Sequence, residues 1–243
     1  LKVASQTEEV TVTAEAPLIE STRAAQASTV NERAVATLPV NGRNFIDFVL
    51  TTPGVTRDVR LGDISFAGQR GTLNSLVVDG ADNNNTFFGQ TLGRTGSGRA
   101  PYQFSQDAVQ EFQVNRSAYS AEYGRAGGAV INVVTKSGTN DFHGSANYFF
   151  QNGSLVAENQ NGSAEEFSTK DSAFTFGGPA LKDKAWFFGS YRYTNRQDDV
   201  STLDTNEFMR AVDNTQHQGF AKGSWAATQA DLVSVTYMSD PTD

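Results

Sequence analysis

From Phe142 to Gln151 the chain alternates with a period of two: Phe142, Gly144, Ala146, Tyr148 and Phe150 fall on one side, and His143, Ser145, Asn147 and Gln151 on the other. Successive side chains point to opposite faces only in an extended strand, so this run predicts a strand with one apolar and one polar face. The pattern returns in Ala185, Phe187, Gly189, Tyr191 and Tyr193, and in Val233, Val235 and Tyr237. A weaker row, Gly219, Ala221, Gly223 and Trp225, stands opposite Gln218, Lys222 and Ser224. Such segments, about 9 to 12 residues long, can cross a bilayer when tilted. The connections between them alternate in length: Asn152 to Lys170 is long, Ala180 to Lys184 short, Asn195 to Asn214 long and Thr228 to Ala230 short. All long loops therefore fall at one end, as in outer-membrane barrels with short periplasmic turns and long extracellular loops. A soluble β-meander is the other fold with this pattern. Five strands cannot close a transmembrane barrel, which needs at least about eight.

Composition changes along the chain. Residues 1–140 carry 12 bases and 13 acids, and residues 141–243 carry 7 and 14; Phe, Tyr and Trp number 10 in the first part and 16 in the second. Rings concentrated in the second part fit a membrane interface, although a β-sandwich with an aromatic core would give the same count. A net charge of -8 argues against a polycationic nucleic-acid binder, and the absence of cysteine excludes disulfides and thiolate metal sites. The chain opens at Leu1 without the basic and apolar regions of a secretory signal, so any signal lies outside it or never existed, and it reads as a cut piece.

The first part predicts a small α/β domain. Asn41 is an N-cap candidate, Phe45, Phe48 and Val49 recur at helical spacing, and Thr52-Pro53-Gly54 ends the pattern. Strand candidates are Val10 to Ala14, Ile64 to Ala67, Leu76 to Val78, Val109 to Asn115 and Ala129 to Thr135. From Asp79 to Pro101 the chain is polar and Gly-rich and reads as one long exposed loop.

Ordered segments along this part resemble the TonB-dependent outer-membrane receptors, specifically Oar-like ones. They are Glu8 to Ala14, Leu38-Pro39-Val40-Asn41-Gly42-Arg43-Asn44, Thr52-Pro53-Gly54-Val55, Leu76-Val77-Val78-Asp79-Gly80, Val109-Gln110-Glu111-Phe112-Gln113-Val114 and Tyr119 to Arg125. The likeness continues through Gly127 to Asn140 and Phe142-His143-Gly144. It implies an α/β plug domain at 15–137, filling a barrel of 22 strands in the family. Residues 138–243 would then be the first part of that barrel, about five antiparallel strands, and residues 1–14 an extended N-terminal segment.

The resemblance also implies roles. Glu9, Val10, Thr11, Val12, Thr13 and Ala14 would form the TonB box, pairing by strand addition with TonB of the inner-membrane TonB-ExbB-ExbD complex. A plug strand is the other reading of Val10 and Val12. Plug loops in the family point up the barrel, which here places Arg57, Arg60, Gln69, Arg70, Asn83, Asn84, Asn85, Phe87 and Phe88 toward substrate. Phe87 and Phe88 could equally pack the loop down. Related plugs carry Arg-Gly after the strand ending at Phe66; this chain has Ala67-Gly68, with Arg70 beyond. Arg116 matches a second family arginine, and it and Arg125 are expected to contact the barrel wall. The implied activity is TonB-dependent import across the bacterial outer membrane, the cargo being a peptide or other large molecule, a siderophore or a glycan. The alternative is an adhesin or structural barrel that keeps a plug without transporting. The periplasm would hold the N-terminus, and outer-membrane lipid would surround the wall.

Catalytic patterns are lacking. His143 and His217 lie in separate strands, no H-E-x-x-H or G-x-S-x-G occurs, and Gly93 to Gly98 lacks the ending of a P-loop. No enzyme activity, cofactor, metal or nucleic-acid partner is expected.

Overall fold

The computed structural model describes residues 26–37, 43–57, 64–84, 104–117, 123–124, 126–156, 167–201, 208–228 and 230–241. Two five-stranded sheets dominate these residues. The first part supplies β1 (Gln26–Val30), β2 (Val55–Arg57), β3 (Ile64–Phe66), β4 (Ser75–Val78), β5 (Ala81–Asp82), β6 (Val109–Ser117) and β7 (Val130–Thr135), with one α-helix, α1 (Glu32–Thr37). The second part supplies β8 (His143–Asn152), β9 (Phe167–Leu181), β10 (Ala185–Ser201), β11 (Phe208–Ala226) and β12 (Leu232–Ser239).

The first sheet has the order β1-β6-β7-β4-β5, with β4 parallel to β7 and its other pairings antiparallel; β2 and β3 pair separately. Its central strands are apolar on both faces, as in β7, where Val130, Ile131 and Val133 are all buried. Phe45 stacks on Phe104 with ring centroids 4.8 Å apart, and Phe112 meets Phe45 edge-on. Asp79 (φ 50°) and Gly80 (φ 85°) form the two-residue link that turns β4 into β5. Two successive positive φ values match the right-handed twist of a tight hairpin, and Asp-Gly tolerates them.

The helix expected from Asn41 is instead a 3-10 helix, Phe45–Thr51. Asn44 caps it, its side chain accepting from Ile46 N at 3.2 Å, while Asn41 lies outside the described residues. Phe45, Ile46, Phe48 and Val49 are all buried, and the tighter three-residue turn stacks Phe45 and Phe48 on one side. α1, β1, β2 and β5 were not anticipated. Of the expected strands, the one at Val10 to Ala14 lies outside the described residues, and the others differ from the observed ones by one or two residues at their ends.

The second sheet is a meander in the order β12-β11-β10-β9-β8. Its two faces differ as the alternation requires. On β10, Tyr191 is 45% exposed, whereas Ser190 and Arg192 on either side are 6% and 5% exposed. The turn at Lys182 to Lys184 is short, with Asp183 at φ 61°, as expected. The connection expected from Asn195 to Asn214 is shorter than predicted. β10 and β11 stay paired from Asn195 opposite Thr215 to Ser201 opposite Phe208, leaving 202–207 between them. Arg196-Gln197-Asp198-Asp199 shows no apolar alternation because both of its faces are polar, yet backbone pairing extends the ladder regardless of side chain.

The fold is thus an α/β unit followed by antiparallel strands of an open, barrel-type sheet.

Candidate functional site

The face of the second sheet that buries Ala173, Phe188 and Phe220 covers the first sheet's unit, and one hydrophobic core runs across the boundary. Phe104 approaches Phe220 at 6.1 Å between centroids, Phe220 meets Phe188 edge-on, and Met238 packs beside them. The second part thereby supplies walls for a core that the first part begins.

Ions surround this dry contact. Arg192 donates through Nε and Nη2 to the two oxygens of Asp171, at 2.9 and 2.7 Å, and through Nη1 to the carbonyl of Arg43 at 3.2 Å. Arg43, at the entry to the 3-10 helix, donates to Asp107 at 2.8 Å and lays its guanidinium 4.1 Å from the Phe149 ring. Asn147 of β8 donates to the other oxygen of Asp107 at 3.3 Å. Buried guanidinium groups are tolerable only with such partners, and Arg's fixed fork suits two acceptors at once.

A second bridge lies at the end of β7. Lys222 of β11 donates to Asp79 Oδ2 and to Thr135 Oγ1, each at 3.1 Å. Asp79 also accepts from Thr135 N at 2.9 Å and Thr135 Oγ1 at 2.5 Å. Beside this triad opens a cavity of about 730 Å3 between β4, β5 and β7 on one side and β11 and β12 on the other.

The opposite face of the second sheet carries rings in two groups. Phe142, Phe176 and Phe187 lie 5.7 to 6.5 Å apart, with Trp225 at the same end. Tyr148, Tyr191, Tyr193 and His217 gather toward the other end, where the Tyr191 hydroxyl is 2.7 Å from His217 Nδ1. From Trp225 to His217 the strand runs roughly 26 Å at about 3.3 Å per residue, a span suited to a tilted crossing of the apolar band. Exposed aliphatic and aromatic side chains between two aromatic rows are the surface a bilayer demands.

Where the two parts join, Gly138 passes the second sheet so closely that a Cβ would stand 2.3 Å from Phe187 O. Two residues on, Asn140 clamps the β9–β10 turn, accepting from Asp183 N at 3.0 Å and Trp186 Nε1 at 2.7 Å while donating to Asp183 Oδ1 at 2.6 Å. Close backbone approach and the amide clamp fix where β8 begins.

The residues expected to bind are distributed differently. Glu9 to Ala14, Arg60, Asn85, Phe87, Phe88 and Arg125 lie outside the described residues. Gln69 and Arg70 are exposed, and Arg57 is held by Asp47. Asn84 turns its side chain back onto β4, and Asn83 joins β4 through its backbone. Asn83 N donates to Leu76 O at 2.9 Å, and Asn84 Oδ1 accepts from Leu76 N at 2.8 Å. An amide side chain next to a short edge strand completes that strand's ladder, which removes it from the set available to a ligand. Arg116 donates to the carbonyl of Pro53, inside the first unit. Among the described residues, Arg43, Asp107, Asp79 and Thr135 meet these wall strands. Their wall partners Asp171, Arg192 and Lys222 were detectable as charges in the polar phase of alternating strands.

Comparison with known proteins agrees with this arrangement. A family described as "Outer membrane beta barrel domain" matches residues 134–241. The TonB-dependent transporter Oar of Myxococcus xanthus is 32% identical over 158 residues, covering 61% of this chain and 14% of that protein. The probable TonB-dependent siderophore receptor PirA of Acinetobacter baumannii is 29% identical over 227 residues, covering 85% of this chain and 28% of that protein. Among solved structures, the outer-membrane transporter YddB of Escherichia coli superposes with a TM-score of 0.69 at 17% identity, covering 89% of this chain and 33% of that one. The chain therefore spans a third or less of each of these proteins. With its lipid-type outer face, its packed inner unit and these likenesses, the chain is similar to the TonB-dependent receptors of the bacterial outer membrane.

Proposed function

We propose that the complete protein imports a substrate actively across the outer membrane, with residues 15–137 as the plug and 138–243 as the first part of the barrel. In this reading residues 1–14 extend into the periplasm, and Glu9 to Ala14 pair with TonB of the TonB-ExbB-ExbD complex. One observation carries the proposal: a folded α/β unit is bonded across the inner face of a membrane-type sheet by a dry aromatic core and by ion bridges. A unit so placed obstructs passage, and its removal needs work. An outer-membrane protein has no local source for that work, so a partner that pulls on an extended segment is the fitting device. No covalent chemistry is involved.

One relative is named a TonB-dependent transporter and another a probable TonB-dependent siderophore receptor. A siderophore is the first cargo to test, with peptides next. The test expresses the full-length receptor in cells with and without TonB and offers a panel of radio-iron-loaded siderophores and a fluorescent peptide. Surface binding is expected in both strains and accumulation only where TonB is present. Binding without accumulation in either strain would sink the import reading and favour an adhesin.

A further inference from the structure

The two flanks of the boundary between the sheets are built differently. On one, Phe104, Phe188 and Phe220 exclude water, and Arg43, Asp107, Asp171 and Arg192 interlock around them. Opening that flank would expose a core and leave buried charges unpaired, which is costly on both counts. On the other flank the sheets already stand apart. Ser75, Asp79, Asn132, Lys222 and Thr236 line the cavity of about 730 Å3, a size class that takes a drug-sized ligand. Its lining mixes hydroxyl, amide, carboxylate and ammonium groups, so a hydrated polar solute loses little on entering. Lys222 reaches across beside it to Asp79 and Thr135.

We infer that this cavity, between β4, β5 and β7 and the wall strands β11 and β12, is the section of the pore through which a polar cargo passes, and that the Lys222 bridge to Asp79 and Thr135 is the contact that must part. The inference rests on the import reading and adds where passage occurs. Asp79 sits in the two-residue turn of β4 and β5, and β5 is only two residues long, at the end of its sheet. The turn and β5 can shift while β4, which pairs with β7 and buries Leu76 and Val78, stays in place. The opposite flank stays closed throughout, so the first unit remains seated while cargo moves past one side of it.

The test uses the full-length receptor in two arms. In the first, Val77→Cys with Ser234→Cys, both lining the cavity, are joined by a bismaleimide long enough to span it; neither residue belongs to the bridge. A comparison pair, Asp107→Cys with Asn147→Cys, is joined on the other flank. Tethering across the cavity should remove most TonB-dependent uptake of an iron-loaded siderophore while surface binding persists, and the comparison tether should leave uptake at the level of the same two cysteines unlinked, a reference that absorbs the loss of Arg43's partner. Normal uptake with the cavity tethered would overturn the inference. So would equal loss with both tethers, because the whole unit would then have to leave.

The second arm needs no energised transport. Lys222→Glu sets a like charge against Asp79 and should raise entry of vancomycin into cells lacking TonB, seen as increased sensitivity. Asp79→Lys combined with Lys222→Glu should restore the barrier. No added sensitivity from a correctly inserted Lys222→Glu receptor would overturn the role of the bridge. A leak accompanied by no TonB-dependent accumulation would instead sink the import reading and leave the route standing.

Discussion

Arg192 grips both carboxylate oxygens of Asp171 from the neighbouring strand, although the residue directly opposite it is Ala173. The pair is therefore diagonal, two residues out of register, a spacing that a long side chain can cover on one face of a sheet. Both side chains are 7% exposed. Small Ala173 leaves room for the guanidinium to lie across the face and send its remaining nitrogen to the Arg43 carbonyl. One wall arginine thus holds its own sheet together and anchors the inner unit.

Breaking this pair on one side should be worse than removing both charges. Asp171→Leu leaves a buried guanidinium without its anion and is expected to cost about 3 to 5 kcal/mol. Asp171→Leu with Arg192→Met replaces the charges by apolar groups and should recover most of that loss. Thermal unfolding of the purified full-length receptor in detergent measures both. Equal destabilisation in the single and double variants would show that the ions are not coupled.

The outer face makes a contrast between adjacent residues. Lys222 points inward to Asp79, whereas Ala221 points outward, opposite Gly189 and Tyr237 in the apolar band between the aromatic rows. Ala221→Lys should cost about 2 to 4 kcal/mol, the price of a cation facing lipid near mid-depth. Folding titrations into lipid vesicles read the difference, and an unaffected Ala221→Lys variant would mean that the face is not lipid-exposed.

The Asn140 clamp gives a smaller effect. Asn140→Ala removes an acceptor used by Asp183 N and Trp186 Nε1 and a donor to Asp183 Oδ1. The site is exposed, so water replaces part of the loss, and roughly 1 to 2 kcal/mol is expected. Indole fluorescence of Trp186 should shift on the same substitution. A stability change without a change in Trp186 emission would place the effect elsewhere.

How much of this was legible in the sequence depends on what set each feature. The two-residue alternation at Phe187, Gly189 and Tyr191 fixed which residues face outward because the membrane-facing side admits little else. Short strands such as β2 and β5 carry too few residues for any period to show, and α1 has only six. Asn83 and Asn84 looked like a binding cluster because donors and acceptors on a polar loop resemble a ligand site. Their partner, the edge of β4, is visible only after folding. Arg43 was placed in a helix start, and nothing local reveals that Asp107, 64 residues away, and Phe149 would meet it. The charges facing the inner unit could have been suspected from phase alone: Asp171, Arg192 and Lys222 all occupy inward positions in strands with apolar outward faces.

Membrane topology offers the last prediction. The aromatic row at Tyr193 and His217 marks one edge of the apolar band, and β10 and β11 continue beyond it, paired to Ser201 and Phe208. This hairpin should stand clear of the bilayer on the outside, with 202–207 at its tip, while the turn at Asp183 lies in the periplasm beyond Trp225. In the full-length receptor, Asp204→Cys and Gly162→Cys should react with a membrane-impermeant maleimide on whole cells. Gln197→Cys, four residues beyond Tyr193, should react as well, because the extended ladder lifts it out of the apolar band. Asp183→Cys should react only after the outer membrane is opened. Labelling of Asp183→Cys on intact cells would invert the orientation, and protection of Gln197→Cys would place the membrane edge above Tyr193.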